Sequence, residues 1–230
     1  MLTLYHQPFS PACRFVRLAI AEHNAESDLI VEPFWERRPE FLKLNPAGEL
    51  PVLVENDGPA IVGARAIMEY LDETRGYMQE SRRLMPDHPE KRAEMRRLVD
   101  WFLDKFDREV GGIFVHEKVF KQDMPQRCGG GAPDSAMLRA ARANIRPHLR
   151  YIGYLASIRN WLAGDRFSYA DLAAAAGISC VDYLGEVPWE EDDTAKTWYA
   201  RVKSRPIFRP LLTEKVRGMP PSRTYADLDF

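Results

Sequence analysis

Over the first 75 residues, short apolar runs alternate with stretches whose apolar positions recur at helical spacing. Leu2 to Tyr5 reads as a strand, and after the break at Pro8–Pro11 the residues Ala12, Phe15, Val16, Ala19 and Ile20 mark one face of a helix. Leu29 to Val31 predicts a second strand, Pro39 to Leu44 a short helix, and Pro51 to Val54 a third strand. Asn56-Asp57-Gly58 joins that strand to Ala60-Ile61-Val62, and Asp-Gly between two β-type runs favours a hairpin because these residues tolerate positive φ. A helix with Ile67, Tyr70 and Leu71 on one side completes the order β-α-β-α-β-β-α, a small mixed sheet carrying packed helices.

Residues 76 to 90 hold Gly76, Pro86 and Pro89 among charged side chains and read as a linker. Beyond it the period becomes purely helical: Met95, Leu98, Val99, Phe102, Leu103, Phe106 and Val110 trace one apolar stripe. Residues 124 to 135 form a glycine-rich loop, and a helix kinked at Pro147 is expected from Ser135 towards Trp161. Ser168-Tyr169-Ala170-Asp171 has the layout of a capping box that opens a helix through Leu172 to Val181; a last helix spans Ala195 to Val202. From Thr213 to Phe230 helical periodicity is lost, which predicts a tail that packs or binds as extended chain. The expected organisation is a mixed α/β domain over 1–78, a linker over 79–89, an all-helical domain over 90–212 and a tail over 213–230.

A chain of 230 residues with 45% hydrophobic and 29% charged residues has the balance of a folded globular protein. The net charge of −2 excludes the strongly basic signature of a dedicated nucleic-acid binder. It also hides an asymmetry: residues 1–90 carry 9 basic and 15 acidic side chains, residues 91–230 carry 23 and 19. Cys13, Cys128 and Cys180 are too few and too scattered for a disulfide framework or a zinc pair, and suit a reducing compartment. The five histidines have no ligand spacing, so neither metal nor cofactor is expected. The start MLTLYHQPFSP lacks the pattern of a signal peptide, and no apolar run approaches the ~18 residues of a spanning helix, so a soluble cytoplasmic protein is expected.

The combination of a βαβαββα unit, a connector and a helical domain opened by a Ser-x-x-Asp box resembles the glutathione transferase superfamily. The match is carried by Ser10-Pro11-Ala12-Cys13-Arg14 at the start of the first helix, Asn45 to Leu53 before and within the third strand, Ala66 to Leu71 in the third helix, and Phe167 to Leu172. The resemblance implies a thioredoxin-like N-terminal domain, a cis peptide before Pro51, and a glutathione site. In that site Ser10 lowers a thiol pKa at a helix N-terminus, and Leu50-Pro51 presents backbone groups to the tripeptide. An acidic residue followed by Ser holds the γ-glutamyl end in the family, and Gly63 and Ala64 occupy those positions here. Hydrogen bonds to charged groups contribute about 1.5 to 3 kcal/mol each, so losing two weakens binding by roughly two to four orders of magnitude. Arg65 beside the gap could partly compensate by meeting a carboxylate. The site residues Ser10, Leu50, Pro51, Gly63, Ala64 and Arg65 thus read as a vestigial ligand site, with glutathione an unfavoured ligand.

Each of these residues has a structural reading as well. Ser10 before Pro11 is also a helix cap, and Cys13 a packed thiol. Gly129-Gly130-Gly131 reads as a flexible connection, Glu190 to Asp193 as a solvated acidic loop, and Arg139, Arg142, Arg146 and Arg150 as a basic helix face. Phe34-Trp35-Glu36-Arg37-Arg38 places aromatics beside arginines, the residue types of interface hot spots, although Trp35 is equally a core residue. Tyr225-Ala226-Asp227-Leu228-Asp229-Phe230 alternates acidic and large apolar side chains as a recognition peptide does.

The tail, the aromatic-arginine segment and the missing anchors together are similar to a non-catalytic, bacterial cell-division branch of the superfamily. That resemblance implies a homodimer at the division site that binds and organises polymers of the tubulin-like FtsZ and couples them to septal wall synthesis, with no nucleic acid and no membrane insertion. Trp35, Asp227, Leu228, Asp229 and Phe230 are then the partner contacts. The alternative is an enzyme of glutathione-transferase type in which Ser10 activates glutathione or another thiol.

Overall fold

The computed structural model describes residues 1–227. Strands β1 (Leu2–His6), β2 (Ser27–Val31), β3 (Val52–Glu55) and β4 (Ile61–Val62) form one sheet in the order β2-β1-β3-β4. β1 runs parallel to β2, with Leu4 opposite Leu29, and antiparallel to β3, with Leu4 opposite Leu53; β3 and β4 form the expected hairpin. Alternation along β1 sends Leu2 and Leu4 into the core beneath helix α1 (Pro11–Glu22), where Phe15, Val16, Ala19 and Ile20 are buried. Helix α2 (Pro39–Leu44) places Phe41 beside Tyr5, on the other face, with ring centroids 5.9 Å apart. Helix α3 (Ala64–Arg75) adds Ile67, Met68 and Leu71 to the main core.

The segment after α3 is packed. A 3-10 stretch, Gly76–Arg82, leads to buried Leu84 and Met85, and Arg83 returns to Asp72 through Nε at 3.1 Å. A long helical rod follows: α4 (Pro89–Asp100), the π-helical stretch Trp101–Gly111, α5 (Gly112–Val115), a second π-helical stretch His116–Phe120, and α6 (Lys121–Asp123). Met95, Leu98, Val99, Phe102, Phe106 and Val110 are all buried, as their spacing predicts. Helix α7 (Ser135–Ile158) is capped by the Asp134 carboxylate and runs through Pro147, which removes one intrahelical bond without ending the helix.

Helix α8 (Tyr169–Tyr183) is the centre of the molecule, with every residue buried. Its capping box is complete: Asp171 accepts from Ser168 N–H at 3.1 Å, and also from Leu162 N–H and the Trp198 indole. An Ala-Ala-Ala-Ala-Gly run, 173–177, lets α1 and the rod approach closely; a Cβ on Gly177 would lie 2.9 Å from the Phe106 ring. Helices α9 (Asp193–Lys203) and α10 (Arg209–Leu212) complete the helical part.

The C-terminal segment does not hang free over its described length. Val216–Met219 forms a turn, Tyr183 Oη donates to Met219 O and accepts from Val216 N–H, and Tyr225 is fully buried.

Candidate functional site

The loop after β1 closes a turn with Ser10 N–H on Gln7 O at 3.1 Å and starts α1 with Pro11 in its first turn, where a missing N–H costs nothing. Ser10 Oγ accepts from Cys13 N–H at 3.4 Å, so Ser10 is the helix cap. Cys13 is fully buried, and burial pushes its thiol up to about 11, which removes it as a nucleophile at neutral pH. The loop before β3 is shaped by Asn45, which accepts from Ala47 N–H at 3.1 Å and donates to Glu49 O at 2.9 Å; the Leu50–Pro51 peptide is cis.

Gln7, Ser10, Phe34, Gly48, Glu49, Leu50 and Phe120 line a cleft of about 540 Å³ that opens to solvent. The structure therefore brings Ser10 and Leu50 together. Pro51, Gly63, Ala64 and Arg65 are not among the residues that line the cleft; Gly63 N–H donates to Pro51 O at 3.0 Å, its φ of 90° suits glycine, and a Cβ built there meets nothing within 4 Å. Ala64 follows as the first residue of α3, so the helix N-terminus carries neither a carboxylate nor a hydroxyl. The Arg65 guanidinium pairs with Asp100 on α4.

Trp35 is half-buried in a three-ring cluster with Phe34 and Phe120, at centroid distances of 5.1 and 6.1 Å, and the Cys128 thiol donates to its carbonyl. Its ring neighbours Phe34 and Phe120 line the cleft, so Trp35 packs behind that wall. The apolar surface on the other side of Ser10 is covered. Phe9 packs with Val115, Val119, Cys180, Tyr183 and Tyr225, and Val216 and Met219 of the tail close that cluster. Under it lies Arg14, fully buried, with its guanidinium 4.3 Å from the Phe9 ring, Nε on Pro8 O, Nη1 on Ser179 Oγ at 2.8 Å and Nη2 on Glu214 at 3.4 Å. Arg17 holds the second oxygen of Glu214.

A second anchor holds the tail further on. Lys203 Nζ donates to Thr224 O at 2.6 Å, Thr224 Oγ1 donates to Asp182 Oδ1 at 2.9 Å, and Tyr225 Oη donates to Leu211 O at 2.8 Å. Asp227 is exposed at the end of this run, within electrostatic reach of Lys203. Leu228, Asp229 and Phe230 lie outside the described residues. Arg14, Lys203 and Glu214 escaped the sequence reading, because a charged residue inside an apolar helical pattern gives no sign of a distant partner. Phe120 lay in the rod with no mark of facing Phe34.

Two charged segments also differ from expectation. Glu191 pairs with Arg146 and with Arg150, and Asp192 caps α9 through Ala195 N–H at 2.8 Å, so Glu190–Asp193 is a structural element and not a solvated loop. Arg142 is paired with Glu186 at 2.7 Å, which leaves Arg139 as the member of that helix row without an ion pair among the described residues.

A mixed four-stranded sheet with its helices, joined to a helical bundle around a capped central helix, defines the glutathione transferase fold. Models for the glutathione S-transferase N-terminal and C-terminal domains match residues 4–83 and 132–206, and the chain belongs to the glutathione S-transferase family. It is 46% identical over 231 residues to the FtsZ-localized protein A of Caulobacter vibrioides, covering 99% of this chain and 98% of that one. The crystal structure of a glutathione S-transferase from Sinorhizobium meliloti is 56% identical, with a TM-score of 0.98 and full coverage of both chains. FzlA from C. crescentus is 46% identical with a TM-score of 0.90, covering 100% of this chain and 99% of that one.

Proposed function

We propose that this protein is a non-catalytic, homodimeric division-site protein that binds FtsZ polymers, organises them and couples them to septal wall synthesis. The observation that carries this reading is the use of the apolar surface beside Ser10. There Phe9 and Tyr183 pack against Tyr225 and Met219, which ties the tail to the body of the protein. Two features support it: Gly63 and Ala64 leave the γ-glutamyl end of glutathione without side-chain anchors, and a relative named for its localisation with FtsZ matches almost the whole chain at 46% identity. Buried Arg14 and Lys203 hold the chain as far as Asp227, and Asp227, Leu228, Asp229 and Phe230 are the partner contacts in this reading. Trp35, half-buried against Phe34 and Phe120, is the remaining partner contact in this reading. Two identical tails in a dimer convert a weak contact into avidity along a polymer.

The test is co-sedimentation with polymerised FtsZ of the full chain and of a chain lacking Asp227–Phe230, with circular dichroism to verify that both are folded. Loss of co-sedimentation is expected; full retention by a folded truncation overturns the role of the tail. The second reading, a transferase using Ser10, is favoured by the position of Ser10 on the cleft and by the likeness to the S. meliloti structure. A thiol-transfer activity abolished by Ser10→Ala would establish it in place of the first.

A further inference from the structure

We propose that the groove between α1, β2 and α10 binds a linear aliphatic monocarboxylate, with the carboxylate on the Arg17 guanidinium and the hydrocarbon chain against the apolar walls. The groove holds about 470 Å³ and shares no lining residue with the cleft at Ser10. Helix α1 contributes Arg17, Leu18 and Ala21 to it, β2 contributes Ser27 and Leu29, and α10 contributes Leu211. Arg17 and Ser27 are the polar members of a lining that is otherwise hydrocarbon. Apolar walls with one or two placed polar groups are the usual make-up of a small-molecule site.

The charge balance around Arg17 calls for an anion. Arg14 and Arg17 share the carboxylate of Glu214, at 3.4 and 2.5 Å, and the two arginine side chains are 0% and 9% exposed. The other hydrogen bonds of Arg14 go to Pro8 O and Ser179 Oγ, which are neutral. Two buried guanidiniums thus face one carboxylate, and a buried charge is costly until it is paired. The unmet hydrogens are on Arg17, whose Nη1 is buried without a hydrogen-bond partner among the described residues. His6 adds no second cation, because burial and the Arg17 charge push its pKa down to about 4.

The shape selects a hydrocarbon chain for the rest of the ligand. The lining follows α1 from Arg17 to Ala21 and on to Ala25 beyond the helix end; at a rise of about 1.5 Å per residue, Ala21 lies about 6 Å along the axis from the charge. The small side chains of Ala21, Ala25 and Ser27 leave the room, and Leu29, 45% exposed, offers apolar surface that a ligand would remove from water. A peptide suits these walls less well, since each of its residues brings an amide that they would strip of water without supplying a partner.

Calorimetric titration of the full chain with sodium octanoate is expected to show saturable binding, and octan-1-ol, which has the same chain without the charge, to bind about tenfold more weakly. Arg17→Gln is expected to weaken octanoate by about tenfold and to leave octan-1-ol unchanged, a difference that a merely loosened fold would not produce. Ala21→Leu fills the groove while keeping Arg17, and is expected to weaken both ligands. Circular dichroism verifies that each variant is folded. The absence of octanoate binding to the wild type at millimolar concentration overturns the proposal, and so does equal affinity of the wild type and Arg17→Gln for octanoate. Tighter binding of acetyl-Leu-Leu than of octanoate would overturn the aliphatic ligand in favour of a peptide C-terminus.

Discussion

The Lys203 ammonium lies 3.7 Å from the Asp182 carboxylate, and the two side chains are 0% and 1% exposed. Burial lowers the lysine pKa and raises that of the aspartate, so each group depends on the other to remain charged. Removing one partner strands a buried charge, which costs about 3–5 kcal/mol. Lys203→Met is therefore expected to lower stability by that amount in urea titrations, and adding Asp182→Asn to recover part of it. Additive losses in the double variant would contradict the coupling.

Tyr225 closes the cluster over Phe9 and bonds Leu211 O from a fully buried position. Tyr225→Ala is expected to cost about 3–5 kcal/mol and to release the tail to carboxypeptidase digestion. Digestion at the wild-type rate would mean that the tail is held by Lys203 and Glu214 alone.

Asp107, on the π-helical part of the rod, has a buried Oδ1 without a hydrogen-bond partner, and burial followed by the nearby Asp104 raises its pKa to about 6. The unfolded value is about 3.9, so the folded state binds this proton more tightly. Its contribution to stability is complete below about pH 4 and is lost as pH rises through 6, amounting to roughly 1–3 kcal/mol. Asp107→Asn should be more stable than wild type at pH 7.5 and equal to it near pH 4. Denaturation curves with the same offset at both pH values would rule this out.

Gly63 and Ala64 predict no heat on titrating wild-type protein with millimolar glutathione. Ala64→Ser restores one hydroxyl at the first position of α3, where the helix N-terminus leaves backbone N–H groups without helical partners. One such bond contributes about 1.5 kcal/mol, so affinity should improve roughly tenfold. A micromolar dissociation constant for the wild type would return the cleft to glutathione chemistry.

The period of apolar positions made the architecture legible where an element buries a single face, β1 by alternation and the rod from Met95 to Val110 by its stripe, while α8, buried all round, was marked by its Ser168–Asp171 box. The ligand cleft was legible in part, since Ser10, Leu50, Gly63 and Ala64 are local features of turns and helix starts. What could not be read was long-range polar pairing. Arg14 meets Ser179 and Glu214 across 165 and 200 residues of chain, and Lys203 meets Thr224 beneath a segment that looks like a frayed end. Nor does the sequence show that Trp35 shares its ring cluster with Phe120, because three aromatics that meet in space are separate in the chain.

The double grip of Arg14 and Arg17 on Glu214 has a mechanical meaning. A loose terminus under load peels away one contact at a time. Here a pull entering at Asp227 is met by buried Tyr225, then by Lys203 on Thr224 O, then by the Glu214 clamp, whose other half is the helix packed between sheet and bundle. Load on the described part of the tail is thus shared by three successive contacts with the body of the protein.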